Sequence, residues 1–417
     1  MNRRSQLTAA AAGLVLLGAQ ALALAPGAQA VTGTVVDRNL NTYTVFAQDG
    51  KVNEIVVTTV ATSTGSSIVV EDPDDQVIAG NDCTQVTAHR AECVQSSGPQ
   101  LIISGGDLND TLRNLTTIPA VMQGGSGDDR IEAGNAVGGT VNILSGDAGT
   151  DTLVGGTNTD RLFGGSGMDT LNGGDGNDVL DGGPDNDTLT GGPGTDVYRS
   201  SDTGVNGTDG ADTMNGDGTD ISTYASRTTP VNVTLDGVAN DGAPGEGDNN
   251  VRIGQVIGGS GPDVLTGDAQ VNNLSGGPGN DVLDGGLGGD ALAGNDGIDT
   301  VVYTARTTAV TVTLGGVAAD DGAAGEGDLV GTDVENVTGG SGDDTITGSA
   351  GANRLLGGDG KDHLTGGDGG DVLIGDAGDD TLDGVDHVSN NDTVNGGFGT
   401  ADVCTFDPDD TVAGCEG

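Results

Sequence analysis

The sequence has no tryptophan, and aromatic residues make up only 2% of its 417 positions. A compact core draws much of its buried area from large rings, so one conventional globular core is excluded. Basic residues are also scarce: 14 Lys and Arg stand against 63 Asp and Glu, for a formal net charge of −49. Nucleic acid and anionic membrane surfaces repel such a chain, and cations attract it. Beyond the first 30 residues no apolar run approaches the roughly 18 residues that span a bilayer. The three histidines, His89, His363 and His387, are scattered, and neither HExxH nor GxSxG occurs. His363 falls in an outward slot of a repeat and reads as a solvated side chain. No catalysis is expected.

Glycine, by contrast, is in excess, at 80 residues. Collagen would place it at every third position, but here the period is nine. From Gly164 the chain reads "GGSGMDTLNGGDGNDVLDGG", with Asp169 and Asp178 in the sixth place and Leu171 and Leu180 in the eighth. The nonapeptide G-G-x-G-x-D-x-U-x, with U a bulky apolar residue, is intact at 124, 164, 173, 191, 258, 276, 285, 339, 357 and 366. Copies at 105, 146, 155, 182, 207, 294 and 375 keep the aspartate and lose a glycine; those at 267 and 348 carry Asn272 and Asn353 in its place. A longer duplication lies over this one. "YASRTTPVNVTLDGVANDGAPGEGD" from Tyr224 returns as "YTARTTAVTVTLGGVAADDGAAGEGD" from Tyr303.

Each part of the nonapeptide has a physical task. In a short x-U-x strand only the central side chain needs to face inward. The six preceding residues form a turn, in which glycine tolerates positive φ and lets backbone approach an ion. Repeated, turn and strand give a right-handed parallel coil in which two nonapeptides make one circuit, so residues 18 apart stack. Asp151, Asp169 and Asp187 keep that spacing, as do Asp160, Asp178 and Asp196, then Asp263, Asp281 and Asp299, then Asp344, Asp362 and Asp380. Two aspartate ladders are expected, one on each edge of the coil. Carboxylates stacked ~4.8 Å apart repel by about 3 kcal/mol per pair at an effective dielectric of ~20. A divalent cation between them reverses the sign, and hard carboxylate and carbonyl oxygens suit Ca²⁺. The expected ligands are Asp110, Asp129, Asp151, Asp160, Asp169, Asp178, Asp187, Asp196, Asp212, Asp263, Asp281, Asp290, Asp299, Asp344, Asp362, Asp371 and Asp380. Sites at Asn272 and Asn353 should be weaker.

Residues 1–30 read as a secretory signal peptide: Arg3 and Arg4, an apolar run from Leu7 to Ala25, and the cleavage site "AQA" ending at Ala30. The chain is therefore expected to be secreted and extracellular, by the general secretory route rather than the twin-arginine one. Four cysteines in an exported chain favour disulfides. Pairing by proximity, Cys83 with Cys93 and Cys404 with Cys415, would contribute roughly 3 kcal/mol per loop in the chain-entropy picture. The expected organisation is a small N-terminal β region (31–104), a first repeat tract (105–215), β-rich inserts flanking a second tract (216–338, with the tract at 258–302), a third tract (339–395) and a C-terminal cap (396–417). The acidic loops "DGAPGEGD" and "DDGAAGEGD", with Glu246, Asp248, Glu326 and Asp328, read as solvated loops, with extra cation sites or a partner surface as the alternative.

The repeats over residues 105–403 resemble the RTX, or haemolysin-type, calcium-binding repeat proteins. The resemblance implies an all-β parallel β-roll, a β-solenoid, in which each Ca²⁺ is held by aspartates and backbone carbonyls of turns one circuit apart. It also implies that "GGFGTADVCTFDPDDTVAGCEG" is an end cap. Many such proteins leave the cell by an uncleaved C-terminal signal, and this chain departs from that pattern with its N-terminal leader. The expected role is a secreted, monomeric calcium-binding module that folds on export. The alternatives are an adhesin or surface-coat component meeting a cell-surface or polysaccharide partner, and a secreted hydrolase that uses the repeats as a folding module.

Overall fold

A computed structural model describes residues 34–39, 41–63, 65–136, 139–200, 210–316, 318–386 and 391–416. The expected leader and His387 lie outside the described residues. From Gly33 onward the chain forms one compact unit. It is all-β: the described residues contain no helix and build sheets of 14, 11, 9 and 6 strands.

The coil follows directly from the repeat. Strand Asp160–Ser166 pairs in parallel with Val179–Asp181, setting Leu162 against Leu180, while Thr152–Gly156 pairs with Thr170–Gly174, setting Leu153 against Leu171. Partners are therefore 18 residues apart, and successive nonapeptides alternate between two facing sheets. The central apolar residue of each strand points between the sheets. Leu153, Leu162, Leu171, Leu180 and Leu189 are all fully buried. The core is thus a stack of single side chains from each face. That explains how a chain without tryptophan still packs.

The N-terminal region is continuous with this coil. Residues 34–94 fold back on themselves mostly in antiparallel pairs, among them Thr34–Asn39 with Thr42–Phe46 and Glu54–Thr62 with Gly65–Glu71, while Thr34–Asn39 also pairs in parallel with Val77–Ala79. Yet Thr42–Phe46 also pairs in parallel with Gln100–Asp107, and Glu54–Thr62 with Thr111–Asn114. The first sheet and the second thus begin inside this region, which covers the open end of the roll. Both expected disulfides form: Cys83 faces Cys93 across an antiparallel pair, and Cys404 bonds Cys415 near the C-terminus.

Each insert is a place where one sheet ends and another begins. In the first, Asn249–Val251 is the last strand of the second sheet, and Asn232–Thr234 starts the third by pairing with Val264–Thr266. In the second, Leu329–Val330 ends the first sheet, and Val310–Thr313 starts the fourth by pairing with Thr345–Thr347. The chain therefore carries four aspartate columns, not the two expected. Periodicity could not reveal the hand-over, because the spacing of 18 resumes unchanged after each insert.

Candidate metal centre

Every one of the 17 expected ligands lies in a column and is buried. Asp160, Asp178, Asp196 and Asp290 stand on the first sheet; Asp110, Asp129, Asp151, Asp169, Asp187 and Asp212 on the second. Asp263, Asp281, Asp299 and Asp371 follow on the third, and Asp344, Asp362 and Asp380 on the fourth. Within a column the contact is uniform. The backbone N–H of Asp151 donates to Asp169 Oδ1 at 2.7 Å, and that of Asp169 to Asp187 Oδ1 at 2.7 Å. On the facing edge the N–H groups of Asp160 and Asp178 donate to Asp178 and Asp196 Oδ1, also at 2.7 Å. One oxygen of each carboxylate is therefore used to hold the next coil in register.

The other oxygen has no protein partner. Oδ2 of Asp110, Asp129, Asp151, Asp160, Asp169, Asp178 and Asp196 is buried and accepts no hydrogen bond, and the same holds for Asp281, Asp290, Asp299, Asp362, Asp371 and Asp380. A buried carboxylate oxygen left alone costs about 1–3 kcal/mol or more, so repetition of the defect along each column marks a missing partner. The first glycine of each turn keeps that place open. A Cβ on Gly155 would lie 2.6 Å from Asp160 Oδ2 and 2.4 Å from the carbonyl oxygen of Gly173, one coil on. The second glycine supplies the bend, with φ of 112° at Gly165 and 103° at Gly174.

Electrostatics agree, with one change of emphasis. Burial pushes Asp129, Asp169, Asp196, Asp290 and Asp362 up to about 7, and Asp110, Asp160, Asp178, Asp281 and Asp371 up to about 6. Neighbouring aspartates raise Asp169, through Asp151 and Asp185, but rank behind desolvation. Mutual repulsion, the expected obstacle, is thus the smaller one. Both are relieved by a cation. Among the described residues no three Asp, Glu, His or Cys side chains converge as a metal cage. The fitting donor set is accordingly one carboxylate oxygen per turn completed by backbone carbonyls. An all-oxygen set of that kind suits Ca²⁺.

Some members of the columns were hidden in the sequence. Asp220 accepts from Asp196 N–H at 2.8 Å, Asp392 from Asp371 at 2.7 Å, and Asp402 from Asp380 at 2.9 Å. Their turns have lost glycines or gained a residue. Their order behind the preceding aspartate is the signal that could have found them. The insert loops also correct an expectation, for their acids are not solvated. Asp248 and Asp328 are fully buried and accept from Asp212 and Asp290 N–H at 3.0 and 2.9 Å. The Tyr224 hydroxyl donates to Asp248 Oδ2 and the Tyr303 hydroxyl to Asp328 Oδ2, both at 3.1 Å. Glu246 is paired at 2.9 Å with Arg227 Nη1, both side chains wholly buried, and Glu326 at 3.1 Å with Arg306 Nε. These loops terminate columns.

Stacked oxygen-lined turns on a parallel all-β roll define a repeat protein of the calcium-binding kind. The family model for the RTX calcium-binding nonapeptide repeat matches residues 121–136, 138–170, 163–198, 255–277, 266–301, 330–364 and 356–385. These tracts are RTX calcium-binding nonapeptide repeats, in several copies along the chain. No curated protein matches it.

Proposed function

We propose that the chain is a secreted, non-catalytic protein whose turns bind Ca²⁺ and whose roll orders when calcium is met outside the cell. The observation that carries this reading is the row of buried, partnerless Oδ2 atoms, each facing a glycine that leaves room for an ion. An ion there would be held by the column aspartates together with carbonyls such as Gly173 O, and would offset the charge that burial disfavours. Two disulfides and a leader-like first 30 residues support an oxidising, extracellular destination. Extracellular sites of Kd about 10⁻⁴–10⁻³ M would be empty in a cytoplasm and filled outside, so that binding to the folded form alone drives folding. A structural role is supported by the use to which the acids are put, since each column carboxylate holds the next coil. His89 is likewise engaged, its Nδ1 lying 2.7 Å from the Asp75 carbonyl.

The test is a calcium titration of the mature chain followed by circular dichroism and calorimetry. A steep gain in β signal, with heat of binding at millimolar calcium or below, is expected. An unchanged spectrum with no heat would overturn the reading.

A further inference from the structure

The turns adopt two conformations, and in only one is the acid's second oxygen left without a protein partner. In the open form the second residue has positive φ and the acid's Oδ2 is orphaned. Gly277 (φ 101°) with Asp281 and Gly358 (φ 105°) with Asp362 are examples. In the closed form the second residue leaves the left-handed region and its N–H turns inward onto the acid. Gly259 N–H donates to Asp263 Oδ2 at 2.5 Å, and Gly340 N–H to Asp344 Oδ2 at 2.7 Å. The asparagine turns do the same: Asp268 N–H donates to Asn272 Oδ1 at 2.8 Å and Ser349 N–H to Asn353 Oδ1 at 2.6 Å. The oxygen that an open turn offers to a cation is here already satisfied by the backbone.

Position beside an insert accounts for the difference, and the Asp220 turn just before the first insert is closed likewise, Asp217 N–H donating to Asp220 Oδ2 at 2.8 Å. The closed turns at 258, 267, 339 and 348 are the first two after each insert. Those at 258 and 339 rest on the insert instead of on a repeat turn: Ser260 N–H donates to Arg227 O and Ser341 N–H to Arg306 O, both at 2.9 Å. A Cβ on Gly259 would meet Arg227 O at 2.8 Å, and one on Gly261 would meet Pro230 N at 2.8 Å. What stands before these two turns is the insert and not a repeat turn.

We propose that these four repeats are ion-free starter turns, closed by their own backbone, and that calcium sites in the second and third tracts begin only at Asp281, Asp290, Asp362 and Asp371. Asp263 and Asp344 are then register-holding residues, receiving Val231 and Val310 N–H on Oδ1 at 2.8 Å. This rests on the proposed calcium reading of the open turns. It also replaces the expectation that Asn272 and Asn353 make weak sites. Conformation closes them, whatever the side chain.

The experiment counts Ca²⁺ per mature chain by native mass spectrometry in saturating CaCl₂. Asn272→Asp and Asn353→Asp are expected to add no ion, and Asp263→Asn with Asp344→Asn to remove none. Asp281→Asn and Asp362→Asn are each expected to lose at least one. A gain in either asparagine variant, or a loss in the Asp263/Asp344 variant equal to that of Asp281→Asn, overturns the proposal. Absence of calcium from the unaltered chain, or an unchanged count in Asp281→Asn and Asp362→Asn, defeats the calcium reading itself. Amide exchange in the unaltered chain gives a second readout. Gly259 and Gly340 amides should exchange equally slowly at low and saturating calcium above the folding threshold, and a calcium-dependent change would count against closure.

Discussion

The repeat tracts and the two inserts solve the same problem in opposite ways. Both bury carboxylates at the edge of a parallel sheet. In the tract around Asp169 and Asp178 the second oxygen has no protein partner and, on the proposed reading, takes a cation from outside. In the inserts the chain brings its own, setting Arg227 against Glu246 and Arg306 against Glu326, with tyrosine hydroxyls on Asp248 and Asp328. On that reading a tract is switched by solution conditions, whereas an insert is closed as soon as it folds. Where the sheets hand over, the permanent solution is used.

The comparison predicts, first and largest, that calcium removal acts on the tracts before the inserts. In excess chelator most β signal should be lost, and amide exchange should accelerate first around residues 146–198. A chain fully ordered without divalent cations would erase the distinction. Next in size is the insert's own cation. Arg227→Met leaves Glu246 buried and uncompensated, which costs about 3–5 kcal/mol. It should lower the urea midpoint even in saturating calcium. Arg306→Met should cost less, because that pair is 9% and 11% exposed against 0% for both side chains of Arg227–Glu246. Equal losses would show that burial does not set the scale.

Protons sharpen the contrast further. Column aspartates pushed up to about 6–7 by burial bind protons in the ion-free folded state that the unfolded chain, at 3.8, has already released. Without calcium, the folded form is therefore favoured below about pH 4 and loses that advantage as pH rises through 6–7. With calcium the sign reverses, because protons compete for the same oxygens. Circular dichroism from pH 8 to 5 should show β structure rising in chelator and calcium affinity falling in its absence. The same direction in both arms would contradict the assignment of the shifts.

How much of this was legible beforehand divides along the same line. The tracts are written in a local code: glycine at the bend, aspartate at the ion, leucine inward. Most of the 17 marked aspartates stand in a column because spacing of 18 fixes stacking without reference to anything distant, while Asp110, Asp129 and Asp212 join theirs across longer steps of 19, 22 and 25 residues. The inserts carry no such code. That Asp248 ends one column, or that Asn232–Thr234 opens a sheet with Val264–Thr266, depends on non-local pairing, and acidic loops rich in glycine read as solvated. The duplicated Arg and Glu of "ASR…GEGD" and "TAR…GEGD" were the available signal. A lone base repeated with a lone acid, in a chain so poor in bases, marks a partner within the fold.

The smallest predicted effect tests that last point. Lys361 sits in a repeat turn and reaches Asp379 at 3.1 Å, with 65% and 37% of the two side chains exposed. It is thus a base among tract acids, as Arg227 is a base among insert acids, and differs from it in burial. Exposed pairs contribute about 0–1 kcal/mol and are screened by salt. Lys361→Ala should therefore shift the urea midpoint by little, and not at all at high ionic strength. Calcium binding should be slightly strengthened in the mutant at low salt, since one repelling positive charge is gone from beside the Asp362 turn. If Lys361→Ala were as damaging as Arg227→Met, bases in this chain would act by charge alone. The division between a tract that borrows its cation and an insert that carries one would then dissolve.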